Sequence, residues 1–237
     1  MTVETFAFGR VSLARANRHA DALGARYLSL RERDELALLR APKRRAERLA
    51  GRLAARRALA RLGIRTPDLS VVTVPEGEAA GSPCVLGAGG RTLDVGLSIS
   101  HGAGSAFAVA SSTCDLGFDV ERVEPRDAAF VEDAFEPFAL GAFARLLGPN
   151  TPADILVTLA WCAKEACMKL ARTGMRAPLR AFAPLEVAWT RPAPPASSGA
   201  VHRALRPAIL VTRELGVVRA GLLARRDLAA ALVWLER

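Results

Sequence analysis

The pattern of apolar and polar positions along the chain predicts helices and strands in alternation. Leucines spaced by three or four between Leu28 and Gly63 predict one or two helices, with Pro42 as a break. Short runs of apolar and β-branched residues predict strands at 71–74, 93–99, 106–110 and 116–123. Helical spacing returns over 128–147 and 154–171, and strand-like runs follow at 185–190 and 207–236. The glycine- and proline-rich stretches 75–92 and 191–200 are typical of turns and exposed loops.

This order of elements predicts an α+β fold with two similar halves, residues 1–113 and 114–237. No short sequence repeat accompanies the two halves, so a duplication would be structural only. A cleft between two such halves is a natural place for a binding or catalytic site.

The composition excludes several classes of protein. Hydrophobic residues make up 51% of the 237 residues, which is enough to build a core. No apolar run reaches the ~20 residues of a membrane span, and the N-terminus lacks the apolar region of a secretory signal. We therefore expect a cytoplasmic protein with no membrane partner. The four cysteines have no CxxC spacing, which disfavours a zinc site or a disulfide framework.

The net charge of +9 suits a polyanion or an acidic protein partner, although an Arg- and Ala-rich composition alone could produce it. Only three of the 33 basic residues are lysines, and two of these, Lys164 and Lys169, lie close together. Aromatic residues are few and no helix-turn-helix or zinc-finger pattern occurs, so nucleic acid is not the expected partner.

Two acidic residues alternate with apolar ones in the strand predicted at 116–123. Gly117, Asp119 and Glu121 share one face of that strand, which places the two carboxylates roughly 7 Å apart. Like charges in this arrangement repel unless a cation lies between them, and a hard divalent cation prefers oxygen ligands. The alternative is the solvent-exposed face of an ordinary antiparallel strand.

The helix predicted at 154–171 carries a second polar motif. Trp161, Glu165 and Lys169 are spaced by four residues and share one helix face. A carboxylate and an ammonium one turn apart suit a metal or proton and a phosphate, respectively. The alternative is an exposed Glu–Lys pair of little energetic consequence, but a tryptophan on the same face argues against full exposure.

Two further groups of residues could bind anions. His101 follows Ser100 in a turn rich in small residues, where the imidazole and backbone N–H groups can donate to a phosphate. Arg48, Arg52 and Arg56 repeat every four residues on one helix face and could hold a phosphate. A surface-turn histidine and a solvated helix face are the simpler alternatives.

The order and spacing of these groups resemble the Sfp-type 4'-phosphopantetheinyl transferase family. Members carry an apolar-Gly-apolar-Asp-apolar-Glu strand, which here is Leu116 to Glu121. They also carry a helix motif Trp/Phe-Ser/Cys/Thr-x-Lys-Glu-Ser/Ala-x-x-Lys, which here runs from Trp161 to Lys169. Residues 120–160 separate Asp119 from Trp161, in keeping with the family spacing.

The resemblance implies a specific reaction and fold. The enzyme would transfer the 4'-phosphopantetheine arm of coenzyme A (CoA) to a serine of an acidic acyl or peptidyl carrier protein and release adenosine 3',5'-bisphosphate. The fold would consist of two pseudo-symmetric halves with the active site at their interface, on a monomeric chain. The first half would bind the CoA nucleotide, and the second would carry the metal and catalytic motifs.

The resemblance also implies residue roles. Asp119, Glu121 and Glu165 would be Mg²⁺ ligands, with Glu165 also the general base, and Lys169 would clamp the pyrophosphate with help from Lys164. The remaining CoA contacts would be Arg48, Arg52, Gly81, Ser82, Pro83, Ser100 and His101.

Three positions depart from the family pattern. Ser82 stands where many relatives have lysine, Glu35 where some have a basic residue, and Ala139 where many have glutamate. Two other functions remain open from the residues alone: a metal-dependent phosphodiesterase or nuclease, and a basic nucleic-acid-binding module.

Overall fold

The chain has an α+β fold, with its contacts grouped into two compact units. The computed structural model describes residues 5–64, 69–173, 176–178, 180–190, 196–198 and 204–237. Unit one consists of residues 1–114 and 195–202, and unit two of residues 115–194 and 203–237. The sequence prediction placed the boundary after residue 113 and did not assign 195–202 to the first unit.

Unit one is a four-stranded sheet with helices. Its elements, numbered in chain order, are β1 (Thr5–Ser12), α1 (Leu13–Arg18), α2 (Ala20–Tyr27), α3 (Leu30–Ala37), α4 (Pro42–Arg61), β2 (Ser70–Thr73), β3 (Pro83–Leu86), β4 (Gly96–Gly102), β5 (Ser105–Ser111) and, from later in the chain, β8 (Ala196–Ser198). The strand order in the sheet is β4-β5-β1-β8, and β2 and β3 form a separate antiparallel pair.

The long helix α4 packs against strands β1, β4 and β5. The helix break predicted at Pro42 is confirmed, because α3 ends at Ala37 and α4 begins at Pro42, in the first turn, where proline is tolerated. Gly9 lets β1 and α4 come into backbone contact, because a Cβ built there would lie 1.9 Å from the carbonyl oxygen of Ala54. The alanine-rich face of α4 therefore forms much of the core of unit one.

Unit two follows a similar plan. Its elements are β6 (Cys114–Arg122), α5 (Ala128–Ala134), α6 (Pro137–Leu147), α7 (Ala153–Leu170), β7 (Glu186–Trp189), β9 (Arg206–Thr212), β10 (Gly216–Ala224) and β11 (Leu228–Glu236). The strand order is β6-β11-β10-β9-β7, with β6 and β7 at the two edges. Helix α7 packs against β10 and β11, and its buried residues form the core with this sheet.

Most predicted elements are confirmed, but three strands were missed. Strands β1 and β3 lie in segments where no strand was predicted. The exposed loop predicted at 191–200 is wrong at 196–198, which form β8, and its other residues lie outside the described part of the chain. No helix among the described residues combines the length and apolar character needed to cross a membrane.

Candidate active site

Gly117 brings the acidic strand β6 onto helix α7. A Cβ built on Gly117 would lie 1.9 Å from the carbonyl oxygen of Ala166 and 2.7 Å from the amide nitrogen of Leu170. Since residues 117, 119 and 121 share a face, this contact turns Asp119 toward α7 instead of solvent. Asp119 is only 4% exposed, which excludes the solvent-exposed strand face as the explanation for it.

Asp119 and Lys169 form a buried ion pair. The Lys169 ammonium donates to Oδ1 of Asp119 at 2.6 Å and to the backbone carbonyl of Phe118 at 3.2 Å. The side chain of Lys169 is 28% exposed and that of Asp119 is 5% exposed. The structure thus unites one residue from each of the two sequence motifs and leaves the lysine accessible from one side.

Two further carboxylates lie within electrostatic reach of this pair. Burial, and after it the Asp119 charge, raises the pKa of Glu121 from 4.5 to about 7, against the opposing charges of Arg126 and Lys169. Burial also raises the pKa of Glu165, with Lys169 opposing the rise and Asp119 adding to it. For both glutamates, the neighbouring positive charges only partly offset the effect of burial.

The three carboxylates do not form a ready-made coordination group. Across the described ranges, no three His, Cys, Asp or Glu side chains lie close enough together to hold a metal ion as they stand. The chemistry of the donors nevertheless fits Mg²⁺, because all three offer oxygen ligands and their mutual repulsion would be relieved by a hard divalent cation. The metal assignment of Asp119, Glu121 and Glu165 stays a prediction.

Cys162 is a buried neighbour of Asp119 on α7. Its thiol donates to the carbonyl oxygen of Ala229 at 3.5 Å. Burial, followed by the charges of Asp119 and Glu121, raises the pKa of Cys162 well above its ordinary value. The residue stays a neutral thiol and provides a weakly polar wall behind the carboxylates.

Lys164 occupies a different place from the one predicted. Its side chain is fully buried, and its ammonium donates to the carbonyl oxygen of Ala134 at 2.9 Å. It also lies over the rings of Trp161 and Phe135, at 5.0 and 5.6 Å from their centroids. Burial lowers the pKa of Lys164 to about 8. No surface of Lys164 is open to a ligand, so this geometry does not support a CoA contact; the residue instead ties α7 to the end of α5.

A cavity of about 250 Å³ in unit one brings together five of the predicted CoA contacts. These are Arg48, Arg52, Gly81, Pro83 and His101. Ser82 and Ser100 are not among its lining residues. Ser100 is buried on the other face of β4 from Ile99 and His101, as strand alternation requires.

Two arginines of α4 meet at Thr73, the last residue of β2. Arg52 donates to Oγ1 of Thr73 at 2.8 Å, and Arg48 donates to the same oxygen. Arg52 is buried and also pairs with Glu35 at 3.0 Å. Burial lowers the pKa of Arg52, and the hydrogen bond to Glu35 opposes this shift. Glu35 therefore partly neutralises Arg52, which was predicted to contact a phosphate of CoA.

The third arginine of the predicted ladder has a structural role. Arg56 donates to the carboxylate of Glu32 and to the carbonyl oxygen of Leu69. Glu32 is itself buried, completes a capping box with Ser29 and accepts from the backbone N–H of Val71. Through these hydrogen bonds Arg56 connects α4 to α3 and to the start of β2.

His101 is positioned over α4 by a glycine. Its Nε2 donates to the carbonyl oxygen of Glu47 at 2.8 Å. A Cβ on Gly51 would lie 3.1 Å from that nitrogen and 3.1 Å from Cγ2 of Ile99, which is tighter than ordinary contact. Gly51 thus gives the imidazole its place in the cavity wall.

The loop before β3 is closed by backbone hydrogen bonds. The N–H of Val74 donates to the carbonyl oxygen of Ser82 at 2.9 Å, and the N–H of Gly81 donates back to Val74. Gly81 has φ = 88°, a left-handed conformation that glycine adopts without strain. This turn sets Gly81 and Pro83 in the cavity wall.

Sequence reasoning missed Thr73 and Arg126 near these sites, and it noted Glu35 only as a departure from the family pattern. Thr73 and Glu35 contact the α4 arginines, but only the tertiary packing shows it. Arg126 opposes the rise in the pKa of Glu121. Its signal in the sequence was a basic residue five positions after Glu121, in the loop that follows the acidic strand.

Comparison with known proteins finds a family model that matches part of the chain. Residues 115–213 match the model of ACPS, the 4'-phosphopantetheinyl transferase superfamily. This stretch contains Asp119, Glu121, Glu165 and Lys169, so the predicted resemblance is confirmed at the level of the superfamily over these residues. Assignment to the Sfp type stays a prediction.

One solved structure similar to part of the chain is a holo-(acyl-carrier-protein) synthase from Bacillus anthracis str. Ames, in complex with CoA (3',5'-ADP). It is 23% identical, with a TM-score of 0.38, over 46% of this chain and 96% of that chain. No curated protein sequence matches the chain.

Proposed function

We propose that this protein is an Sfp-type 4'-phosphopantetheinyl transferase, which moves the phosphopantetheine arm of CoA to a serine hydroxyl of an acyl or peptidyl carrier protein. The other product is adenosine 3',5'-bisphosphate. The observation that carries the proposal is the joining of the two superfamily motifs through the buried Asp119–Lys169 pair, with Glu121 and Glu165 beside it.

Phosphoryl transfer depends mainly on positioning and on charge stabilisation. In the proposed step the serine hydroxyl oxygen attacks the phosphorus that bears the pantetheine arm. The bond from that phosphorus to the bridging oxygen of the diphosphate breaks, and the electron pair leaves with adenosine 3',5'-bisphosphate. Glu165 accepts the serine proton, and its raised pKa makes it a stronger base than an exposed carboxylate.

Lys169 is placed to stabilise negative charge on the diphosphate. Its side chain is 28% exposed, and its ammonium pairs with the Asp119 carboxylate. Asp119, Glu121 and Glu165 would hold Mg²⁺, which when bound would supply positive charge at the carboxylates and at the diphosphate. Without that charge the three acidic residues would repel the substrate.

The cavity of unit one is the proposed site for the phosphate-bearing nucleotide of CoA. Arg48, Arg52 and His101 supply donors there, and Gly81 and Pro83 form the wall on the side of β3. The partial neutralisation of Arg52 by Glu35 makes Arg48 and His101 the stronger candidates for direct phosphate contacts. The net charge of +9 would favour encounter with an acidic carrier protein.

The test is intact-protein mass spectrometry of an apo carrier protein incubated with this chain, CoA and MgCl₂. The expected result is a mass increase of one phosphopantetheine group on the carrier, dependent on the enzyme and abolished by EDTA. Release of nucleotides from DNA or RNA without any change in the carrier mass would instead select the phosphodiesterase alternative.

A further inference from the structure

Arg126 has a placement that its contacts within unit two do not account for. It lies in the loop between β6 and α5, with its guanidinium carbon 5.2 Å from the centroid of the Phe130 ring. Its Nε is buried and has no hydrogen-bond partner among the described residues. A buried N–H without an acceptor is destabilising, so its presence in a folded protein calls for an explanation, and a bound anion is one that suits a charged donor.

A stack of aromatic rings connects Arg126 to the α7 motif. Phe130 packs edge-on against Trp161, with ring centroids 4.9 Å apart. Trp161 begins the helix face that continues with Glu165 and Lys169. Phe130 thus links the guanidinium to Trp161, which lies on the helix face that carries the candidate catalytic groups.

Arg126 follows the acidic strand closely in the chain. It comes five residues after Glu121, in the loop that leads from β6 to α5. A guanidinium next to the acidic strand supplies positive charge for an anionic group of the substrate.

We propose that Arg126 binds the phosphate group that stays with the pantetheine arm of CoA. The inference rests on the proposed function and adds a substrate contact that the sequence motifs did not contain. A guanidinium stacked on an aromatic ring keeps its N–H donors at its edge, and their planar arrangement matches two phosphate oxygens. Arg126 is a binding residue here and takes no proton in the reaction.

The first test measures binding in the absence of a carrier protein. Calorimetric titration with MgCl₂ present gives dissociation constants for CoA and for adenosine 3',5'-bisphosphate, which lacks the pantetheine-bearing phosphate. Arg126→Gln should weaken CoA binding by about tenfold, as expected for one charge-assisted hydrogen bond, and change binding of the bisphosphate less than about twofold. Arg126→Lys keeps the charge but loses the planar guanidinium, so its dissociation constant for CoA should lie between those of the wild type and Arg126→Gln.

Arg122→Gln is the matched control. Arg122 lies at the end of β6 and forms an exposed ion pair with Glu124 at 3.7 Å, so its replacement should leave both dissociation constants unchanged. Unchanged CoA binding in both Arg126 variants overturns the proposal. An equal loss for CoA and the bisphosphate also overturns it, because the contact would then lie elsewhere on the ligand.

A kinetic measurement separates this inference from the proposed function. In the transfer assay, Arg126→Gln should raise KM for CoA and leave KM for the carrier protein unchanged. A rise in the carrier KM alone overturns the phosphate contact in favour of carrier docking. If the wild-type protein transfers nothing to a carrier but binds CoA through Arg126, the proposed function fails while the Arg126 contact stands.

Discussion

The Lys169–Asp119 ion pair offers a direct test of the buried site. Replacement of Lys169 by methionine keeps the length of the side chain and leaves the Asp119 carboxylate, only 5% exposed, without its cation. Breaking a fully buried ion pair by removing one partner typically costs about 3–5 kcal/mol. Because Lys169 is 28% exposed, water can reach part of the vacated space, and we expect a loss of about 2 kcal/mol in the free energy of unfolding.

Urea unfolding followed by tryptophan fluorescence measures this loss where it occurs. The three tryptophans, Trp161, Trp189 and Trp234, all belong to unit two, so their emission reports on the unit that contains the pair. The measurement is made in EDTA and repeated in MgCl₂. A divalent cation at the carboxylates should recover part of the lost stability in the Lys169→Met variant.

A second ion pair of unit two supplies the control. Arg172 donates to Asp115 at 3.3 Å, and both side chains are largely exposed, at 54% and 44%. Arg172→Met should therefore cost less than about 1 kcal/mol. Addition of Asp119→Asn to Lys169→Met should restore stability, because the uncompensated charge is then gone. Equal losses for Lys169→Met and Arg172→Met, or no recovery in the double variant, would refute the reasoning.

Three other predictions follow from single positions. Gly117→Ala places a Cβ 1.9 Å from an α7 carbonyl oxygen and should lower the free energy of unfolding in urea by more than about 3 kcal/mol. Gly141→Ala is the control and should not lower it, because the nearest atom to its Cβ lies at 3.5 Å. Similar losses for the two variants would contradict the contact between β6 and α7. In metal-free buffer, Glu121→Gln should raise stability above pH 7 and have no effect below pH 4.5. The pKa of Glu121 is about 7 in the folded state and 4.5 as its ordinary value, so wild-type stability falls as the pH rises from 4.5 to 7. A stability gain in Glu121→Gln that does not depend on pH would refute this prediction. Gly51→Ala should displace His101 and weaken calorimetric binding of adenosine 3',5'-bisphosphate several-fold, and unchanged binding would remove His101 from that site.

The sequence predicted most helices and strands because their apolar periodicity is regular. It missed β1 because Gly9 and Arg10 interrupt the apolar run. Gly9 is needed because β1 contacts the backbone of α4, which is remote in the sequence. Local pattern carries no signal of such a contact, so only the folded chain explains why a glycine stands in the middle of a strand.

The candidate site was predictable to a similar degree. The family resemblance implied that Asp119, Glu165 and Lys169 belong to one site, and the structure brings Lys169 into direct contact with Asp119, a pair that was not predicted. Helix spacing alone could not separate Arg56 from the arginines of the cavity, because its partner Glu32 comes from another helix. Strand alternation, in contrast, could have placed Ser100 and His101 on opposite faces of β4.

The rate of transfer to a carrier protein by the Asp119→Asn variant tests the central claim most directly. Asp115→Asn is the control, because Asp115 lies on the same strand but its side chain is 44% exposed, where it pairs with Arg172 and Arg237. With CoA and MgCl₂ at saturation, we expect the transfer rate of Asp119→Asn to fall by at least about a hundredfold, which is the size of loss seen when one essential electrostatic group is removed from an active site. The rate of Asp115→Asn should stay near normal. An Asp119→Asn enzyme that modifies the carrier as fast as the wild type would contradict the central claim.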